Sequence, residues 1–355
     1  MKVKDDLIKK KDLIVEIEIN SIDEIYNKVL YSKDYDGYIF RGHGDASYLL
    51  KPSLLRDDLS VKYGKQEKLC LEELKSFILF FREANNHGLY VPAVPEFYMN
   101  YLSNFLGIED ILRNDIYYWL PDNIMELAIL AQHYGVKTRL LDWTRDIKVA
   151  LYFACEDIKA EKDGECAIWC VDAKWLQEYK RRHILADEVF STGVANNHPD
   201  NHDEKRRLIR MIKDDSIPIR FIVSPYDNNA NLNAQKGILS IWQHNIVQHK
   251  ESIPIDLIEM RNRMSDYVER FFDSDITVDN KPLDELLLYY FNASKNRVSG
   301  FKERGRQLFT VFKFSNRLKC EFLEILRKEG YDKAYIYPGY RSIADMVNEQ
   351  IAIIT

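Results

Sequence analysis

Between Leu127 and Cys155 the chain reads LAILAQHYGVKTRLLDWTRDIKVALYFAC, and no single type of secondary structure accommodates it. Residues 122 to 134 carry helical spacing and stop at Gly135, a residue suited to the left-handed turn that ends helices. A strand is expected around Thr138 to Asp142, then a second helix from Arg145 to about Ile158. Asp142, Trp143 and Thr144 then fall where strand gives way to helix. Asp142 or Thr144 would there meet backbone N–H groups that have no intrahelical partner. So close an alternation demands layered α+β packing.

The remaining segments extend that pattern. Residues 12 to 31 read as a strand and a helix, with Ser21 as N-cap and Glu24 completing a capping box. Gly37 to Arg41 reads as a strand, and YLLKPSLLR as extended because of Pro52. From Lys65 to Asn86, Leu69, Leu71, Leu74, Phe77, Ile78 and Phe81 recur at helical spacing. A further helix is expected over 97 to 119. CAIWCVD, IPIRFIVSP, GILSIW and LFTVFKF are strands by their β-branched and aromatic content. Asn316 to Glu329 is a helix stopped by Gly330, and YIYPGYRSIADMVNEQ is a strand, turn and helix. Residues 175 to 215 read as a mobile charged insertion, and 254 to 305 as a helical insertion. The expected fold is α+β, a mixed or antiparallel sheet core with helical insertions and a C-terminal αβ extension.

Composition narrows the function. The chain has 355 residues, 46% of them hydrophobic, enough for a substantial core. A formal charge of -6 argues against a dedicated nucleic-acid binder. No apolar run reaches the length of a membrane span, and none follows the lysines of MKVKDDLIKKKDL as a signal peptide requires. Five scattered cysteines suit reduced thiols and a cytoplasmic setting. Cys166 and Cys170 share one strand face with no paired Cys or His nearby, so buried thiols are expected rather than zinc. His198 and His202 flank a proline that breaks the helix a metal-binding pair would need, and no metal is expected.

The segment YIFRGHGDAS, residues 38 to 47, sets Arg41 and His43 between glycines at a strand end. Gly42 and Gly44 suggest close approach to the backbone. Its resemblance to G-x-G-x-x-G lacks the helix that a dinucleotide fold requires.

FRG at 40 to 42, QHYGVKTRLLDWT at 132 to 144 with the following VALYFA, NAQKGILSI at 233 to 241 and the closing LRKEGYDKAYIYPGYRSIAD together resemble the FRG domain. That bacterial and phage domain would here be a single one, with its core over about 22 to 350. A second resemblance is to ADP-ribosyltransferases of the arginine–serine–glutamate type. It implies that sheet fold, with NAD as substrate in a toxin or phage-defence setting. Arg41 would match the arginine, Asp142-Trp143-Thr144 the serine strand, and Gln235 the glutamate. Gln235 lacks the charge that stabilises a ribosyl cation, though its carbonyl accepts a hydrogen bond. RNA 2′-phosphotransferases, which share the fold, work with Arg and His without that glutamate.

The resemblance therefore implies Arg41, His43, Asp142, Thr144 and Gln235 as catalytic residues. Gly42, Gly44, Gln132, His133, Tyr134, Arg139 and Trp143 would bind the ligand, an NAD-like or other nucleotide. A protein or nucleic acid would be the acceptor. Two alternatives stand beside this: a module binding a nucleotide or phosphorylated ligand without turnover, and a metal nuclease built on Asp122, Asp172 and Lys174. Trp143 either stacks on a base or fills the core.

Overall fold

A computed structural model of the protein describes residues 7–56, 64, 66–94, 118–157, 163–182, 217–223, 230–245 and 280–354. Its strands are β1 (Ile14–Glu18), β2 (Ile39–His43), β3 (Tyr118–Trp119), β4 (Leu141–Thr144), β5 (Glu165–Val171), β6 (Ile219–Ile222), β7 (Gly237–Trp242), β8 (His244–Asn245) and β9 (Phe309–Ser315). The chain divides into two compact units, one of residues 1–49, 142–239 and 283–355, the other of 50–141 and 240–282.

The first unit is organised by a mixed sheet. Among the described residues its order is β1-β9-β5-β2-β4-β7-β6. β1 runs parallel to β9, while the pairs β9–β5, β5–β2 and β2–β4 are antiparallel. The burial of each strand follows its place. β5 and β9 lie inside and are mostly buried, whereas β1 at the edge buries only Ile14 and then alternates half-buried Val15 and Ile17 with exposed Glu16 and Glu18. The apolar helix Ile147–Cys155 packs with β2 and β5 around a core that includes Phe312, Phe314, Phe322 and Leu326.

Several local readings hold here. The Ser21 hydroxyl accepts from Glu24 N at 3.3 Å, while the Glu24 carboxylate accepts from Asn20 N at 2.7 Å, one residue earlier than an ideal box. Gly330 takes φ 85° and ends the helix Lys319–Lys328. Others are corrected. The stretch after Gly330 holds no strand: Asp332 caps Tyr335 N at 2.8 Å, a short helix Lys333–Ile336 follows, and Tyr340–Ile354 is a second. The last strand, β9, is internal to the sheet, so the chain ends in helices rather than in an αβ extension. Residues 175–182, expected within a mobile insertion, lie in a helix that runs over 173–182; 183–216 lie outside the described residues, as do 97–117 and 254–279. Within 280–305 the expected helices are Leu283–Asn292 and Lys295–Lys302.

In the second unit the helix Gln66–Asn86 buries Leu69, Leu74, Phe77, Ile78 and Phe81, while Leu71 stays half-buried. It packs against the helix Met125–His133, which ends before Gly135 at φ 93°. Pro52 does not keep its segment extended. A helix, Ser53–Arg56, starts directly after it, because proline lacks only an N–H that a helix start leaves unbonded. The strand expected at Thr138 begins instead at Leu141. Leu140 N donates to the Thr138 hydroxyl and Arg139 N to Glu73, so side chains take the amides that a ladder would use.

Candidate functional site

The strands β2 and β4 lie side by side, with Phe40 opposite Thr144, and β7 is the next neighbour. Arg41, on β2, donates from Nε to His43 Nε2 at 3.0 Å and from Nη1 to the Asp142 carbonyl at 2.6 Å. Nη1 also lies 3.8 Å from the Asp142 carboxylate, whose side chain is 65% exposed against 15% for Arg41. The guanidinium plane is thus fixed by an imidazole on its own strand and a carbonyl on the next. Since Nε2 accepts, a neutral His43 carries its proton on Nδ1. His43 is itself buried, with its ring edge near Tyr48 and Trp169.

Thr144 and Gln235 also meet. The Thr144 hydroxyl donates to the Gln235 carbonyl at 2.6 Å, accepts from Asp146 N at 3.0 Å, and Arg145 N reaches the Lys236 carbonyl at 3.1 Å. The Gln235 amide donates to the Ile336 carbonyl at 3.1 Å. Gln235 thereby links the start of β7 to the helix Lys333–Ile336. Thr144 is not the cap of the following helix. Asp146 is, accepting from Lys148 N at 3.0 Å, so the helix starts at Ile147 rather than Arg145.

Gly42 has a different reason from the one its motif suggests. A Cβ there would lie 2.0 Å from the Ala150 carbonyl oxygen and 2.7 Å from Ala154 N. The glycine lets the helix Ile147–Cys155 sit against β2, and side-chain absence serves packing rather than a ligand. At Gly44 a Cβ would meet only the Ala154 carbonyl, at 4.0 Å, and the Gly44 carbonyl accepts from the buried Lys319 ammonium at 3.1 Å. Trp143 is 3% exposed and belongs to the core.

Four expected ligand residues belong to the second unit. Gln132 accepts from the Thr138 hydroxyl, and His133 stands edge-on to Tyr134, which is largely exposed. Arg139 is fully buried: Nε donates to Glu73 at 2.7 Å and Nη2 to Cys70 Sγ at 2.9 Å, beneath the Trp119 ring. Glu73 also accepts from Trp119 Nε1 at 2.5 Å. A guanidinium enclosed in this way braces its unit and does not grip a ligand.

Sequence reasoning missed a polar cluster beside Thr144. The Asp146 carboxylate accepts from Lys236 Nζ at 2.6 Å and from the Tyr331 hydroxyl at 2.7 Å. The bond to Asp146 holds Lys236 above the usual lysine range. Burial, aided by Asp146, raises the Tyr331 hydroxyl. Lys148 pairs with Glu329 and lies over the Tyr31 and Tyr331 rings at 5.3 and 5.5 Å. Burial works to lower the Lys148 pKa, but its bond to Glu329 prevails and raises it. One signal was legible, an aspartate directly before an apolar helix; its distant partners have none.

Two residues of the nuclease reading, Asp172 and Lys174, are engaged in other pairs. Asp172 pairs with Arg304 at 2.8 Å and Arg306 at 3.0 Å, and Lys174 with Asp36 at 3.3 Å. Among the described residues no group of His, Cys, Asp or Glu is arranged to hold a metal ion, and no helix is long and apolar enough to cross a membrane. Cys70, Cys155, Cys166 and Cys170 are buried free thiols, with burial pushing Cys170 well up.

Residues 36–163 match the family model described as the FRG domain. No curated protein and no solved structure matches the chain.

Proposed function

We propose that this FRG-domain chain binds NAD or a related nucleotide at the ends of β2, β4 and β7, as a recognition module without ADP-ribosyl transfer. The observation that carries the reading is the guanidinium of Arg41, fixed between His43 and the Asp142 carbonyl beside an exposed carboxylate. A pre-oriented planar fork receives a diphosphate at smaller entropic cost than a mobile one. The three elements of the arginine–serine–glutamate series, Arg41, Thr144 and Gln235, lie on or before adjacent strands. That order supports an ADP-ribosyltransferase-like ancestry. The third position argues against transfer, because Gln235 is neutral and its amide is bound to Ile336.

A second reading has one observation in its favour. The Asp142 carboxylate, exposed and 3.8 Å from Arg41, offers the charge that Gln235 lacks. In an NAD hydrolase it would stabilise the ribosyl cation as the C1′–nicotinamide bond breaks. Water would then add at C1′ and release a proton, giving ADP-ribose and nicotinamide.

Incubation of the protein with NAD decides between them. Saturable binding by calorimetry with no nicotinamide released supports recognition. Release that is lost in Asp142→Asn, with binding retained, supports hydrolysis. Absence of any NAD binding would overturn both.

A further inference from the structure

Where β1 and β9 begin, away from the end of β2 that carries His43, the first unit has a cavity of about 470 Å³. Its wall includes four cations, Lys9, Lys11, Lys302 and Arg306, and one carboxylate, Asp12. In a chain of net charge -6 this concentration of positive charge runs against the whole. A concave surface of one sign focuses field and gathers counter-ions.

The details favour an anion. Asp12 accepts from the Lys9 amide at 2.8 Å, which commits one of its oxygens to the local turn. The helix Lys295–Lys302 points its C-terminus here, an end that repels anions. Its last carbonyls are already taken by the amides of Glu303, Arg304 and Gly305. Arg306 is the decisive group. It pairs with Asp172, but Asp172 also holds the buried Arg304 at 2.8 Å and accepts from Trp175 N at 2.8 Å. Arg306 is 56% exposed in that pair, so Asp172 stays satisfied when Arg306 turns to another anion.

We propose that this cavity is a binding site for a small, multiply charged phosphate anion, separate from the strand-end site. The chemistry recognised is the oligophosphate itself; the walls offer cations, and the buried Ile8 and Phe301 complete the lining.

The test is calorimetric titration of the full chain with inorganic pyrophosphate, in wild type, in Lys11→Glu/Lys302→Glu and in Arg41→Lys. Saturable pyrophosphate binding is expected in wild type and Arg41→Lys. The charge-reversal pair should lose at least about tenfold in affinity and keep its NAD binding. Lys11 and Lys302 are exposed, so folding should survive. Should the double variant melt early, Lys302→Gln carries the same test with an expected loss of about threefold. No saturable heat in wild type, unchanged affinity in the charge variants, or loss of pyrophosphate binding in Arg41→Lys would overturn the assignment.

Discussion

Gly42→Ala separates a glycine kept for packing from one kept for a ligand. The added methyl would stand 2.0 Å from the Ala150 oxygen and 2.7 Å from Ala154 N, both backbone atoms of the helix Ile147–Cys155. No rotamer change relieves a clash with backbone, so the helix or β2 must move. Overpacking of a core costs about 1–3 kcal/mol and more where backbone shifts are forced. We take about 3 kcal/mol, which at about 2–4 °C per kcal/mol for a unit of this size lowers the melting midpoint by about 6–12 °C. Gly44→Ala is the control. Its Cβ would lie 4.0 Å from the nearest atom, an ordinary contact, and the change in stability should stay within about 0.5 kcal/mol. The assay is thermal unfolding by circular dichroism of both variants beside wild type. A Gly42→Ala protein melting within about 2 °C of wild type would refute the packing argument.

Three further outcomes are expected. Glu73→Gln leaves the buried Arg139 guanidinium without its counter-charge and should lower stability by about 3–5 kcal/mol in urea unfolding, whereas Glu73→Met/Arg139→Met should lose much less. Thr144→Val removes the bonds to the Gln235 carbonyl and to Asp146 N and should cost about 1–3 kcal/mol, read from the same denaturation curves. Burial holds the Asp284 carboxyl above its usual range, against the pull of Lys10. Its protonated form is therefore favoured on folding: the stability it contributes is full below the ordinary aspartate range and is lost as pH rises through the raised value. Asp284→Asn should flatten that decline and raise the midpoint at neutral pH, a comparison made by melting across pH 3–8 at roughly unit steps.

What the sequence disclosed depended on whether the governing interaction was local. The helix Gln66–Asn86 and the buried strand β5 follow from periodicity and residue type, and Gly135 and Gly330 marked helix ends by their left-handed turns. At Pro52 the right residue gave the wrong element, since proline starts helices as readily as it stops them. Strand β4 began three residues late because Glu73, far away in sequence, takes the Arg139 amide. Motif order set Arg41, Asp142, Thr144 and Gln235 in one series, whereas the contacts of Arg41 with Asp142 and of Thr144 with Gln235 run through backbone carbonyls, which carry no sequence signal. Gly42 was legible as a close approach, but the partner is a helix of the same unit. The joining of Asp146 to Lys236 and Tyr331 depends on tertiary closure and leaves no local pattern.

The most direct measurement is the affinity of Arg41→Lys for NAD by calorimetry, with its melting midpoint determined on the same sample. Lysine keeps the charge and loses the planar fork that His43 and the Asp142 carbonyl orient. At least about tenfold weaker NAD binding is expected, beyond what a loss of about 1–2 kcal/mol in folding stability explains in a protein still fully folded at the assay temperature. Unchanged NAD affinity in a folded Arg41→Lys protein would contradict it.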